Sequence, residues 1–135
     1  MKITADTNLL VRMATRDEEE QAATARRVMT MAEAIIVPLP CVLEFVWVLR
    51  SVYRFSRGEI ARALHVLIES SSVVADAPAI RAGLHIHAAG GDFADGVIAA
   101  AGSFSGSEVF VSFDRKALSH VSMLGISARH ADDFP

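Results

Sequence analysis

Four carboxylates in this chain sit at places that invite chemistry. Asp6 interrupts the apolar start "KITADTNLL" (2–10), with Ile3 and Ala5 before it and Leu9 and Leu10 after it. Asp114 repeats that pattern behind "VFVSF" (109–113). Asp95 lies in "GGDFADG" (90–96), at the head of the small-residue run "GVIAAAG" (96–102). Glu44 is the only charge between Glu33 and Arg50, and its neighbours are Val42, Leu43, Phe45, Val46 and Trp47. Hard oxygen donors of this kind select Mg²⁺ or Mn²⁺. Two such ions held by carboxylates suit phosphodiester hydrolysis, one activating water and the other steadying the leaving oxygen. No general-base histidine is then required.

Each acid also has a plainer account. Asp6 and Asp114 each stand between a strand and a helix, where Asp commonly serves as N-cap. Asp92 is placed as an N-cap too, with Asp95 at N3 on the pattern of a capping box. A buried Glu44 would be costly unless paired or metal-bound. On a narrow exposed edge it could instead pair with Arg50 or Arg54.

For the acids to act together, the elements must bring them to one edge. Residues 2–5, 34–37, 72–75, 108–112 and 126–129 read as short strands. Residues 8–15, 17–33, 40–53, 56–70, 77–90, 92–104 and 114–121 read as helices. Pro40 can open the 40–53 helix, and Ser56 with Glu59 forms a capping box at 56–70. Gly90 and Gly91 stop the helix before them. Strands alternating with helices predict an α/β fold with a mainly parallel sheet wrapped by helices. Sites in such sheets form at the carboxyl ends of the strands, where Asp6 and Asp114 fall.

The chain has 135 residues, which predicts one domain over 1–135. A hydrophobic content of 52% excludes disorder. No apolar run reaches the roughly 18 residues of a membrane span. Cys41, the single cysteine, reads as a buried, inert thiol, and the want of a disulfide framework or signal peptide predicts the cytoplasm. The net charge of −3 does not exclude a nucleic-acid partner. Only Lys2 and Lys116 of the 13 basic residues are lysine; the rest are arginine, which forks onto phosphate.

The chain resembles the PIN-domain nucleases, specifically the VapC-type toxins of bacterial toxin–antitoxin pairs, over nearly its whole length. "ADTNLL" resembles the first acidic motif of that family. Glu44 in "LEFVWVLR", ahead of "SRGEI", resembles the second, "DFADGVIAA" the third and "SFDRKA" the fourth. The resemblance implies a three-layer α/β/α fold and a Mg²⁺-dependent endoribonuclease, with Mn²⁺ as substitute. It implies Asp6, Glu44, Asp95 and Asp114 as metal-binding catalytic acids, Asp92 as a further candidate, and Asn8 and Ser112 as polar neighbours. It also implies an RNA substrate, a homodimer and a cognate VapB-like antitoxin. The family often carries Thr where Ser112 stands and Ala where Gly96 stands.

The helix at 40–53 is apolar almost all round, so Val46, Trp47, Val48 and Leu49 are expected at an interface with a second copy or the antitoxin. Arg50, Arg54 and Arg57, with Arg62, are expected either as a solvated face, or as a rim that contacts phosphate, or as a landing place for an acidic partner. His85 and His87 would point apart on a helix and make a poor metal pair. Two alternatives stand beside the ribonuclease: a phosphomonoester hydrolase on a similar sheet, and a non-enzymatic module that keeps the fold. The common phosphohydrolase pattern needs an acid two residues after Asp6, where this chain has Asn8.

Overall fold

Ile35 and Val37 are almost wholly shielded from solvent, and they make β2 (Ala34–Val37) the middle strand of a parallel sheet. β1 (Lys2–Thr4) pairs on one side, Ile3 opposite Ile35, and β3 (Val73–Ala75) on the other, Ile36 opposite Val74. The computed structural model describes all of Met1–Pro135 and falls into two compact units, Met1–Asp76 and Ala77–Pro135. This sheet belongs to the first.

Parallel strands need crossovers, and helices supply them. α1 (Thr7–Thr15) and α2 (Glu19–Met31) connect β1 to β2, and α3 (Leu39–Ser51) and α4 (Arg57–Glu69) connect β2 to β3. The Ala5 N–H donates to the Ile36 carbonyl at 2.9 Å, so the ladder runs one residue past β1 and delivers Asp6 to the strand edge. Pro38 ends β2 and opens α3 at that same edge. Val42, Leu49, Ile60 and Leu64 fill the space between helices and sheet, and each is at most 1% exposed. Burying side chains of that size stabilises by about 1.5–3 kcal/mol each. The capping box opens α4 as expected: the Glu59 N–H donates to the Ser56 hydroxyl, and the Ser56 N–H to the Glu59 carboxylate.

α2 starts later than the sequence suggested, because Asp17 is committed elsewhere. Its carboxylate accepts from the Thr15 and Tyr53 hydroxyls, both at 2.9 Å, and pairs with Arg12 at 3.2 Å. The two hydroxyls, Thr15 first, hold the Asp17 carboxyl below the usual range. Arg12 also donates to Gln21 and Tyr53, so one network joins α1, the turn into α2 and the turn after α3.

The second unit has its own parallel pair, β4 (Phe110–Ser112) with β5 (Ala128–His130). α5 (Ala77–Ala88), α6 (Phe93–Phe104) and α7 (Arg115–Ser122) pack around it, and a 3₁₀ turn (Ala131–Asp133) follows. Its core gathers Ile86, Ala99 and Val121 with Phe110, Leu124 and Ile126. The α/β class and the parallel pairing are those expected. The hydrogen bonding differs in one respect: the five strands form a three-stranded and a two-stranded sheet, not one ladder. His85 is exposed and His87 buried, so the two do point apart.

α5 and α6 meet at glycines. A Cβ on Gly96 would lie 2.6 Å from the Ala82 carbonyl oxygen and 2.7 Å from the Gly83 Cα, both fixed backbone. The Ala often found there in the resembling family would therefore force backbone of α5 or α6 to shift in this chain. We expect Gly96→Ala to destabilise the protein. The helix-propensity gain of about 1 kcal/mol is smaller than an overpacking cost of about 1–3 kcal/mol, since only backbone can yield. Urea melts check this; an unchanged midpoint would show that α5 moves freely.

Candidate functional site

In the first unit, Asp6 occupies the N-cap position of α1, yet its side chain makes no capping hydrogen bond. The carboxylate is exposed and both its oxygens are uncommitted to the helix. Capping therefore does not explain this acid.

Glu44 is not buried. α3 turns Val42, Phe45, Val46 and Leu49 inward and leaves Pro40, Glu44, Trp47 and Ser51 exposed as an outward stripe. What fixes Glu44 is Thr7, a residue the sequence reading passed over. Its buried hydroxyl donates to the Glu44 carboxylate at 3.2 Å and lies 3.7 Å from the Cys41 sulfur. A polar β-branched residue directly after a strand-end acid is the only signal that could have marked it. No ion pair joins Glu44 to Arg50 or Arg54.

Burial pushes the Cys41 thiol up, and the charges of Asp6 and Glu44 push it further in the same direction. One sulfur thus feels both carboxylates, which come from the N-cap of α1 and the second turn of α3. A thiol so raised is inert at neutral pH, as expected for Cys41. Asn8 is exposed and lines a cleft of about 510 Å³ between α1 and α2, with Arg12 and Gln21.

In the second unit, Asp92 is the N-cap of α6, its Oδ1 accepting from the Ala94 N–H at 3.0 Å. Asp114 is the N-cap of α7, its Oδ1 accepting from the N–H groups of Lys116 and Ala117 at 2.9 and 3.2 Å. Ser112 holds that turn, its hydroxyl accepting from the Asp114 N–H at 3.0 Å. In both caps Oδ2 makes no capping bond, so capping and cation binding do not compete for the same atom.

Asp95 is half-buried in the first turn of α6. Burial raises its carboxyl above the usual range, and the charges of Asp92 and then Asp114 raise it further. His120 opposes that shift weakly. The His120 ring packs on the backbone of Gly91, where a Cβ would be 2.6 Å from Nδ1.

In neither unit do three such side chains gather closely enough to cage a cation unaided. The second unit's acids repel across space without touching, which a cation would relieve, and every donor in both units' acid sets is a hard oxygen. The residues fit Mg²⁺ or Mn²⁺. Of the four residues expected at an interface, Val46 (5% exposed) and Leu49 (0%) are core residues. The apolar run gave the helix no visible face, but packing supplies one. Trp47 and, in part, Val48 remain outward. Arg50, Arg54 and Arg57 are all exposed.

A sequence model of the PIN domain matches residues 3–123. The chain therefore belongs to the PIN-domain family, whose members are generally metal-dependent nucleases. No curated protein matches it significantly. The match runs through both units and across all five acids.

Asp114→Asn separates the roles of that acid. Asn caps about as well as Asp, so the helix start should survive. The metal-free protein should melt no lower than wild type, because repulsion on Asp95 is relieved. Mn²⁺ at about 100 times its dissociation constant should stabilise wild type by about 2.7 kcal/mol, and the variant clearly less. Thermal melts with chelator and with Mn²⁺ check this; equal shifts would remove Asp114 from the site.

Proposed function

We propose that the two units form one catalytic domain over 1–135, and that it is a Mg²⁺-dependent endoribonuclease toxin of the cytoplasm. Asp6, Glu44, Asp95 and Asp114 would hold the cations, Mn²⁺ serving in place of Mg²⁺, with Asp92 as an additional ligand. The observation that carries this is Asp6: an exposed carboxylate at a helix start that does no capping. When bound, the cations supply activated water and neutralise charge on the scissile phosphate and leaving oxygen.

The chain's own groups do the rest. The Thr7 hydroxyl orients Glu44. Ser112 and the α7 N–H groups fix the rotamer of Asp114. Arg50, Arg54 and Arg57 offer charge to the phosphates that flank the cut, a role that screens with salt.

The proposal includes a VapB-like antitoxin. Its support is an apolar groove of about 500 Å³ in the first unit, walled by Met13, Met29, Phe55 and Val66. Glu59 at the rim is committed to its capping box, which leaves Arg62 as the charge on offer. A peptide with apolar anchors and one acid suits that groove. A homodimer belongs to the same proposal, although its surface cannot be the Val46–Leu49 run as a whole.

Asp6→Asn should abolish RNA cleavage and leave the fold intact by circular dichroism. A folded variant that cuts RNA at the wild-type rate would defeat the metal-ligand role. Val66 is 71% exposed, so Val66→Glu should leave cleavage unchanged while weakening inhibition by the co-encoded antitoxin at least tenfold. Unaltered inhibition would move the antitoxin off this groove.

A further inference from the structure

We propose that Trp47 is a stacking platform for one unpaired RNA base beside the phosphate that is cut. This rests on the ribonuclease proposal and deepens it, naming Trp47 as the residue that holds and selects an unpaired base.

Trp47 is 54% exposed on a helix whose other large apolar side chains are mostly turned inward. It stands one helical turn after Glu44 on the same outward stripe. Three residues advance about 4.5 Å along a helix axis. Side chains on a helix lean toward its N-terminus, which carries the indole toward the turn that bears Glu44. Arg50, also exposed, follows three residues later. Metal-binding acid, flat ring and phosphate-pairing cation thus succeed one another over about 9 Å of helix. That order matches what a single nucleotide presents: a reacting phosphate, a base and the next phosphate.

The other exposed aromatic rings do not share this setting. Phe113 already meets His130 edge-on, with ring centroids 5.8 Å apart. Phe104 ends α6, at the opposite end from Asp95, and Phe134 lies near the chain terminus. Nor does Trp47 suit the core of an interface with a second copy. With Val46 and Leu49 buried, the outward apolar area of α3 and the residue after it comes down to Pro40, Trp47, Val52 and parts of Leu43 and Val48, interrupted by the charges of Glu44 and Arg50. Interface cores are larger than that and poor in charge.

Stacking on an aromatic ring accepts any base, since every base has a π face. It rejects a duplex, whose bases are already stacked on one another. Selection by Trp47 is therefore for unpaired RNA over paired RNA.

Trp47 is the chain's only tryptophan, so its fluorescence reports on this one ring. The Asp6→Asn protein is titrated in Mg²⁺ with a dye-labelled oligoribonucleotide, and binding is followed in parallel by anisotropy. We expect saturable quenching with the unpaired strand and little with the same strand annealed to its complement. In otherwise wild-type protein, Trp47→Leu should raise KM for the unpaired strand about tenfold, with kcat nearly unchanged, and Trp47→Phe should restore most of the loss. Binding without quenching, or a wild-type KM in Trp47→Leu, overturns the proposal while cleavage by wild type leaves the ribonuclease reading standing. Fluorescence that depends on protein concentration without RNA places the indole at a self-interface and overturns it as well. A wild-type protein that cuts no RNA overturns both.

Discussion

Like charges are held near one another here by backbone that cannot let them part. Asp92 and Asp95 are fixed on the first turn of α6, and Asp114 on the start of α7, and burial keeps Asp95 from shedding its share of the repulsion into water. In the other unit, Asp6 and Glu44 both act on the same buried sulfur. Electrostatic strain of this kind persists only where surrounding packing over-determines the geometry, and it tends to gather at functional sites. The strands, the glycine contact of α5 with α6 and the Thr7 hydroxyl all serve to keep it in place.

The topology makes that arrangement possible. In a parallel sheet every strand ends at the same edge, so the helices that follow neighbouring strands begin there together. α1 and α3 follow the adjacent strands β1 and β2 of the first unit's sheet, and within the second unit's own pair α7 follows β4. An acid in the opening residues of such a helix needs no long loop to reach the edge. Short, stiff connections limit its wandering, as the proposed site would require.

Much of this was legible in the sequence, and for identifiable reasons. β2 was read with its true ends because Pro38 closes an apolar quartet. The Ser56–Glu59 box and the caps at Asp92 and Asp114 were readable because local hydrogen bonding alone decides them. The facing of α3 was not readable, since an apolar run around the whole helix carries no phase. That is why Val46 and Leu49, which are core residues, carry an interface expectation in the sequence, and why the sequence leaves Glu44 open between a buried and an exposed setting. Thr7 escaped because its partners are 34 and 37 residues away. Asp17 escaped for a similar reason: a distant tyrosine, Tyr53, decides its place.

The caps at Asp92 and Asp114 carry a consequence for denticity. Asp92 spends Oδ1 on one backbone N–H and Asp114 on two. With both lone pairs of Oδ1 engaged, Asp114 would offer a cation Oδ2 alone, whereas Asp92 keeps a lone pair on Oδ1 as well as its free Oδ2. Ca²⁺ favours six to eight oxygens and readily takes a carboxylate two-handed, whereas Mg²⁺ keeps an octahedron of single contacts completed by water. In the proposed site, a helix cap that is present for reasons of backbone satisfaction would thereby tilt the ion preference toward the smaller cation.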